Sequence, residues 1–263
     1  MSPRAVEVLS GVTLIAAEDT RHSARLLRHF GVRTPCIALH EHNERAVSPA
    51  ILEQLAKSDS VALISDAGTP LISDPGYHLV HTARAKGIRV VPIPGPCALI
   101  AALSASGLPS DRFVFEGFLP TRTGARRTRL AELRDESRTL IFYESPHRIL
   151  DCIDDMAQIF GTERRAVIAR ELTKLFETIH EDTLPRLADW LRADENQQRG
   201  EFVILVRGST LEARGEAEAQ RVVQILMTEL PVKQAAALAA QITGLKKNAL
   251  YDYALRLKDS QSD

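Results

Sequence analysis

The sequence predicts an α/β fold, with two α/β domains followed by a helical tail. Short β-branched runs alternate with amphipathic stretches at helical spacing, the pattern of βαβ units with parallel strands. Leu108-Pro109-Ser110-Asp111 reads as a linker between two such series. Beyond Gly208 a charged stretch leads into a region whose pattern is helical only. The 263 residues allow one large or two small domains, at roughly 100–200 residues each. We therefore expect an N-terminal α/β domain at residues 1–108, a second at 109–208 and a helix-turn-helix-like tail at 217–258.

Each element has a local reason. Val12-Thr13-Leu14-Ile15-Ala16 is a run suited to a buried strand. Thr20 to Phe30 places Leu26, Leu27 and Phe30 at helical spacing, and Gly31 stops that helix. Cys36–Leu39 forms a second strand. Ser48-Pro49 supplies an N-cap and a first-turn proline, predicting a helix from Ser48 to Lys57. Val61–Ser65 is a third strand, Pro75–Lys86 a helix ended by Gly87, and Ile88–Val91 a fourth strand. Pro96–Ser106 is an Ala-rich helix ending at Gly107. The second series runs through strand Phe113–Phe118, an arginine-rich helix at about 123–136 and strand Thr139–Tyr143. A helix then starts at Pro146, capped by Ser145. Strand Ala166–Ala169, an extended piece near Thr178, a helix at Leu184–Leu191 and strand Phe202–Val206 complete it. The tail, Ala217 to Lys258, ends as helix, Thr243-Gly244 turn, helix (Lys246 to Leu257), the shape of a helix-turn-helix.

Composition removes several classes. With 44% hydrophobic and 25% charged residues the chain is not a disordered one. A net charge of -1 excludes a uniformly basic nucleic-acid glue but permits local basic surfaces. Cys36, Cys97 and Cys152 form no CxxC pair, which excludes a zinc ribbon or thioredoxin motif. An odd cysteine count, and no secretory signal in Met1–Leu9, lead us to expect a cytoplasmic protein. The longest apolar stretch, Val90–Leu103, is broken by Pro92, Pro94, Gly95 and Pro96 and cannot span a membrane as a helix.

Chemistry-bearing segments sit where strands end, the place where open α/β sheets bind ligands. Ser65-Asp66-Ala67-Gly68-Thr69-Pro70-Leu71-Ile72-Ser73-Asp74-Pro75-Gly76 combines small residues with turn formers. It reads as a loop bent around a ligand, or as a tight turn with Asp74 and Pro75 capping a helix. Ile93-Pro94-Gly95-Pro96-Cys97-Ala98 opens a helix, whose free N–H groups favour an anion; a stiff turn explains it equally. Neither GxGxxG nor a Walker lysine is present. Glu18-Asp19-Thr20-Arg21 suits substrate handling, and Asp19 or Thr20 also suits a helix cap. His40-Glu41-His42-Asn43-Glu44 lacks a third clear metal ligand, so polar substrate contact is the better reading and no metal is expected. Phe142-Tyr143-Glu144-Ser145-Pro146-His147-Arg148 is another strand-to-helix junction, where His147 suits acid–base chemistry or a plain surface turn. In Arg170-Glu171-Leu172-Thr173-Lys174 an internal ion pair is the simplest reading.

Two regions are locally basic. Between residues 121 and 138 six arginines, at 122, 126, 127, 129, 134 and 138, oppose Glu132, Asp135 and Glu136. From Val232 to Lys258 five Lys/Arg oppose one acid. Solvated faces explain most such runs; nucleic-acid contact is the functional alternative.

Taken in order, AEDTR (17–21), HEHNE (40–44), SDAGTPLISDPG (65–76), PGPCA (94–98), FYESPHRI (142–149), ARELTKLFE (169–177) and GEFV (200–203) make the chain resemble one family. It is similar to the bacterial small-subunit ribosomal RNA (cytidine-2′-O)-methyltransferases of the tetrapyrrole methylase superfamily, from residue 2 to about 207. KQAAALAAQITGLKKNALYDYAL resembles their C-terminal helix-turn-helix. The resemblance implies S-adenosylmethionine (SAM) in a cleft between two α/β domains, usually in a homodimer. It implies methylation of the ribose of a decoding-centre cytidine in small-subunit (16S) RNA or the 30S particle.

By position, Gly68, Thr69, Pro70 and Ile72 match the superfamily's cofactor loop. Cys97 and Ala98 match its Ser/Thr-Ala pair, with an unusual cysteine, and Tyr143 lies where the second domain covers the adenosine. Asp19, Glu18 and His40 are candidates for the base that removes the hydroxyl proton. Arg21, Glu41 and Asn43 would face the RNA, with Arg126, Arg127, Lys246 and Lys247 on phosphates. SAM is already activated, so no metal is required. Family members begin with an extra strand and a Thr-Pro-Ile-Gly-Asn-Leu loop running into a Ser-Pro-Arg-Ala helix. Here Met1 precedes Ser2-Pro3-Arg4-Ala5, so the first strand is expected to be missing from this sequence. Two rival readings stay open. One is a methylase of a tetrapyrrole or other small molecule, against which the basic helix and tail argue. The other is a non-catalytic RNA-binding or assembly protein, which SAM calorimetry would distinguish.

Overall fold

A computed structural model describes residues 1–260, except the side chains of 211–214, 216–217 and 258–260; the latter include Ala217 and Lys258, the ends of the expected tail. The chain opens with α1 (Pro3–Gly11). Ser2 Oγ accepts from Ala5 N at 3.2 Å, and Pro3 occupies the first turn, where its missing N–H costs nothing. Strands β1 (Leu14–Ala17), β2 (Cys36–Ala38) and β3 (Val61–Ile64) form a parallel sheet in the order β2-β1-β3. Helices α2 (Thr20–His29) and α3 (Glu44–Ala56) make its crossovers, and α4 (Tyr77–Ala85) follows. Successive residues of β1 point to opposite faces. Ala16 packs with Leu39, Ile51, Leu52 and Leu79, under α3 and α4; Ile15 and Ala17 pack with Leu9 and Leu27, under α1 and α2.

After α5 (Ala98–Ala105) come β4 (Phe113–Phe118), α6 (Thr123–Glu132), β5 (Thr139–Glu144), α7 (Ile149–Phe160), β6 (Arg165–Arg170), β7 (Thr178–Thr183), α8 (Leu184–Ala193) and β8 (Phe202–Val206). The five strands form one sheet in the order β4-β5-β8-β6-β7. The same period-2 logic makes it a middle layer. Leu140, Phe142, Ile168 and Ile204 pack with Ile153 of α7 and Leu187 of α8. Ile141, Val167, Val203 and Leu205 pack with Leu99, Ala102 and Leu103 of α5. Each such aliphatic or aromatic side chain contributes about 1.5–3 kcal/mol on full burial. Helices α9 (Leu211–Met227), α10 (Val232–Thr243) and α11 (Lys247–Ser260) form a separate cluster around Val223, Ala236, Ala239 and Leu250.

Several expectations need correction. The second sheet is mostly antiparallel; only β4 and β5 run parallel. The β6–β7 connection, residues 171–177, is too short for a helical crossover. Helix α3 starts at Glu44, not Ser48, so Pro49 lies inside it. Ser48 Oγ donates instead to Glu44 O at 2.6 Å, a back-bond compatible with the helical turn. Asp74 and Pro75 do not cap α4, whose N-cap is Gly76; Glu44 reaches across to accept from Leu79 N at 3.0 Å. Likewise Ser145 does not cap α7, which begins at Ile149. Ile88–Val91 is not a strand: β3 pairs with β1 alone, and Val90 and Val91 are exposed with no ladder to join. The piece near Thr178 is a full strand, Thr178–Thr183.

Candidate functional site

The parallel sheet aligns its functional side chains by register. Ala17 pairs with Ala38 on one side and Ile64 on the other. The residues just beyond, His40, Glu18–Asp19 and Ser65–Asp66, therefore emerge along one edge. They are stitched together there. Asp66 N donates to Glu18 Oε2 at 3.3 Å, and Asp19 N donates to Asp66 Oδ1 at 3.2 Å. Ser23 Oγ of α2 also donates to Asp66 Oδ1, at 3.4 Å.

Asp19 is the N-cap of α2. It accepts from Arg21 N at 2.8 Å and His22 N at 3.4 Å, satisfying two free donors of the first turn. Its carboxylate also pairs with Arg21 at 3.3 Å. The Arg21 side chain, then its backbone N–H, hold the Asp19 carboxyl below its ordinary value. Such a group is a weak base, and its geometry is that of a cap. In the next turn His40 N donates to Asn43 Oδ1 at 2.8 Å and Asn43 Nδ2 donates to Ala38 O at 3.1 Å. Both ends of the Asn43 amide thus close the turn. Glu41 is exposed beside His42, 3.2 Å away. His40 Nδ1 is buried without a hydrogen-bond partner among the described residues.

Loop 65–76 is strongly bent. Gly68 (φ 123°), Leu71 (72°), Ser73 (63°) and Gly76 (121°) all lie at positive φ. For Leu71 and Ser73 this is a strained conformation, of the kind found at ligand-holding loops. Thr69 Oγ1 donates to Pro96 O at 2.8 Å, tying this loop to the 94–97 loop. The second sheet completes the arrangement. Leu99 N donates to the Tyr143 hydroxyl at 3.2 Å, and a Cβ on Gly117 of β4 would lie 3.3 Å from Ser73 Oγ. Phe115 and Phe118 pack edge-on against Tyr143, at 4.9 and 5.7 Å between ring centroids. Cys97, half-buried, and Ala98, exposed, form the entry to α5; Pro70 is half-buried and Ile72 exposed.

Asp74 joins this edge. Burial raises its carboxyl above the ordinary value, Ser65 lowers it, and the charges of Glu18 and Asp66 raise it further. Asp66 also belongs here: parallel register sets the end of β3 beside Glu18 at the end of β1.

The arginine-rich helix departs most from expectation. Arg126 is 3% exposed and its Nε lies 2.6 Å from Asp155 Oδ2 in the core, so it is not a phosphate contact. Its i, i+4 relation to Leu130 puts it on the buried face. Arg127 is exposed but shares Asp155 at 2.7 Å. Arg129 pairs with Glu116 and Glu132, and Arg138 with Glu136. Lys246 and Lys247 are exposed at the α10–α11 turn. Among the described residues no group of three or more His, Cys, Asp and Glu is arranged to hold a metal. Nor is any described helix long and apolar enough to cross a membrane.

Residues 1–188 match the family Tetrapyrrole (Corrin/Porphyrin) Methylases, and residues 213–258 match the RsmI C-terminal HTH domain. The chain is 61% identical to Ribosomal RNA small subunit methyltransferase I of Pseudomonas aeruginosa, over 97% of this chain and 92% of that one. It is 55% identical to the protein of the same name from Escherichia coli O157:H7, over 97% and 90%. Among solved structures, diphthine synthase aligns with TM-score 0.58 and 18% identity, over 80% of this chain and 85% of that one. Uroporphyrin-III C-methyl transferase from Thermus thermophilus, complexed with S-adenyl homocysteine, aligns with TM-score 0.52 and 14% identity, over 78% and 90%. At these identities the two structures speak to the fold.

Proposed function

The chain belongs to the tetrapyrrole methylase family, and on that premise we propose that it uses SAM to methylate small-subunit ribosomal RNA, at the ribose 2′-oxygen of a decoding-centre cytidine. On this reading it acts in the cytoplasm as a homodimer. Residues 1–108 and 109–208 form the catalytic body, and 217–258 an RNA-binding tail. One observation carries the reading: loop 65–76, loop 94–97 and Tyr143 meet at the carboxyl edge of the parallel strands.

The residues there fit the cofactor. A Cβ on Gly95 would meet nothing within 4 Å, and one on Gly68 only Asp74 Oδ2 at 3.9 Å, so both backbones are open to a ligand. The carboxyl groups of Asp66 and Asp74 suit a ligand carrying sulfonium and ammonium charges. Gly68, Thr69, Pro70, Ile72, Cys97 and Ala98 would hold the cofactor, with Tyr143 fixing α5 behind them. When bound, the cofactor supplies an activated methyl group. The chain's own residues position the ribose, exclude water and take up a proton. Asp19 is committed to α2 and Arg21, which makes it a positioning residue. Glu18 keeps one carboxylate oxygen clear of the Asp66 N–H, and we assign it the proton.

The test is RNA-dependent transfer of a labelled methyl group from SAM to small-subunit particles. Label at the 2′-oxygen is the expected result, and equal activity on a 2′-deoxy target would overturn the ribose assignment. Glu18→Gln should lower kcat by roughly 10²–10⁴-fold, the usual yield of a general base, with SAM affinity kept. Asp19→Asn should cost far less.

A further inference from the structure

We propose that the exposed face of α2 is the phosphate-binding surface that lays the RNA backbone against the methyl-transfer edge, an inference that rests on the RNA reading above. Arg21, Arg25 and Arg28 stand at i, i+4 and i+7, one stripe of the helix, while Ser23 and Leu27 fill the buried face. The stripe runs for about 10 Å at 1.5 Å per residue. No Asp or Glu lies within α2. Arg25 and Arg28 are exposed and make no ion pair among the described residues; Arg28 only donates to its own helix, at Ala24 O.

Helix α6 and its flanks differ from α2. Four of the six arginines near α6, at 126, 127, 129 and 138, already hold carboxylates. A paired guanidinium has little charge left to displace counterions from a nucleic acid. Two arginines of α2 are unspent.

Place supports charge. The arginines line a concavity of about 800 Å³ whose other wall is Ser65 and Asp66 of the bent loop. Ser23 and Asp19 pin the start of α2 to Asp66, so the stripe begins at the reaction edge and leads away from it. A strand of phosphates along Arg25 and Arg28 would deliver the next nucleotide to Glu18 and the cofactor loops. Arginine suits this role because its planar fork matches phosphate oxygens.

The experiment uses the full chain and small-subunit ribosomal particles, with binding measured across a salt series. Arg25→Glu/Arg28→Glu is compared with Arg165→Glu/Arg186→Glu, which makes the same charge change on the second sheet and α8. Arg25→Gln/Arg28→Gln removes the charge more gently should the reversal impair folding. Calorimetry with SAM reports an intact cofactor site. We expect the α2 reversal to weaken particle binding on the order of tenfold or more at low salt. Its salt slope should shrink by about two, one per lost phosphate contact, with SAM binding kept. The glutamine pair should show the same slope change with a smaller loss. An unchanged affinity and slope would overturn the proposal, as would an equal loss in the control pair. A weaker affinity with an intact slope would also overturn it, since that marks a contact with a partner other than nucleic acid. If the unaltered chain binds no particles, the RNA reading itself fails, and that outcome is visible in the wild-type arm alone.

Discussion

Leu99 N donates to the Tyr143 hydroxyl at 3.2 Å, so a strand of the second sheet holds the first turn of α5. Cys97, at the N-cap of α5, makes no side-chain cap bond, and Tyr143 supplies from a distance what the local sequence does not. Burial pushes the Tyr143 phenol above its ordinary value and keeps it neutral. Tyr143→Phe leaves a buried N–H unsatisfied, at a cost of about 1–3 kcal/mol. Urea unfolding should show that loss, and calorimetry a weaker SAM affinity as the 94–97 loop loosens. A variant unchanged in both would remove Tyr143 from the site.

Asp155 is 2% exposed and serves both Arg126 and Arg127. Asp155→Ala strands Arg126 in the core, and breaking a buried pair in this way costs about 3–5 kcal/mol. Arg126→Met with Asp155→Leu replaces the pair by apolar groups and should recover most of that loss. Thermal melts of the single and double variants decide it; equal destabilisation by both would mean the pair itself is worth its desolvation.

Gly76 has φ 121°, and a Cβ there would lie 2.5 Å from Leu63 Cδ2 and 3.1 Å from Leu71 Cδ1. Gly76→Ala therefore meets backbone strain of about 1–3 kcal/mol as well as a clash at the root of loop 65–76. Lower stability and weaker SAM binding should appear together. Loss of stability with unaltered SAM affinity would separate the loop from the cofactor.

Asp74 has a carboxyl raised by burial and by the nearby charges of Glu18 and Asp66. Its neutral form is the one the fold favours, so its contribution is fully present below the unfolded value of 3.8 and lost as pH rises through the higher folded value. Asp74→Asn should raise the Tm at neutral pH, and the gain should vanish on acidification below that unfolded value. A gain that persists at low pH would point to a packing effect instead of ionisation.

The motifs and strand ends were readable from residue type because strand-end loops need small and turn-forming residues whatever surrounds them. β8 matches the predicted Phe202–Val206 run, since five consecutive apolar residues have no use outside a buried strand. The same reasoning failed at Ile88–Val91. Its residues suit a strand, but a ladder needs a neighbour, and neighbours are a property of the whole sheet. Arg126 was half legible: spacing from Leu130 marks the buried face, whereas its partner lies 29 residues away. Asn43 and Asp19 look like ligand contacts in a string of letters. The cap role of Asp19 is legible from its place before the helix, whereas only the hydrogen-bond geometry reveals that Asn43 closes a turn.

The strand order β4-β5-β8-β6-β7 has a consequence for biosynthesis. The central strand of the larger sheet is the last to be made. Until residues 202–206 leave the ribosome, β5 and β6 have no shared neighbour, and each offers an open edge to other nascent chains. β8 closes both edges at once. The enzyme body thus matures in one late step, and a chain cut before Phe202 would leave two unsealed half-sheets.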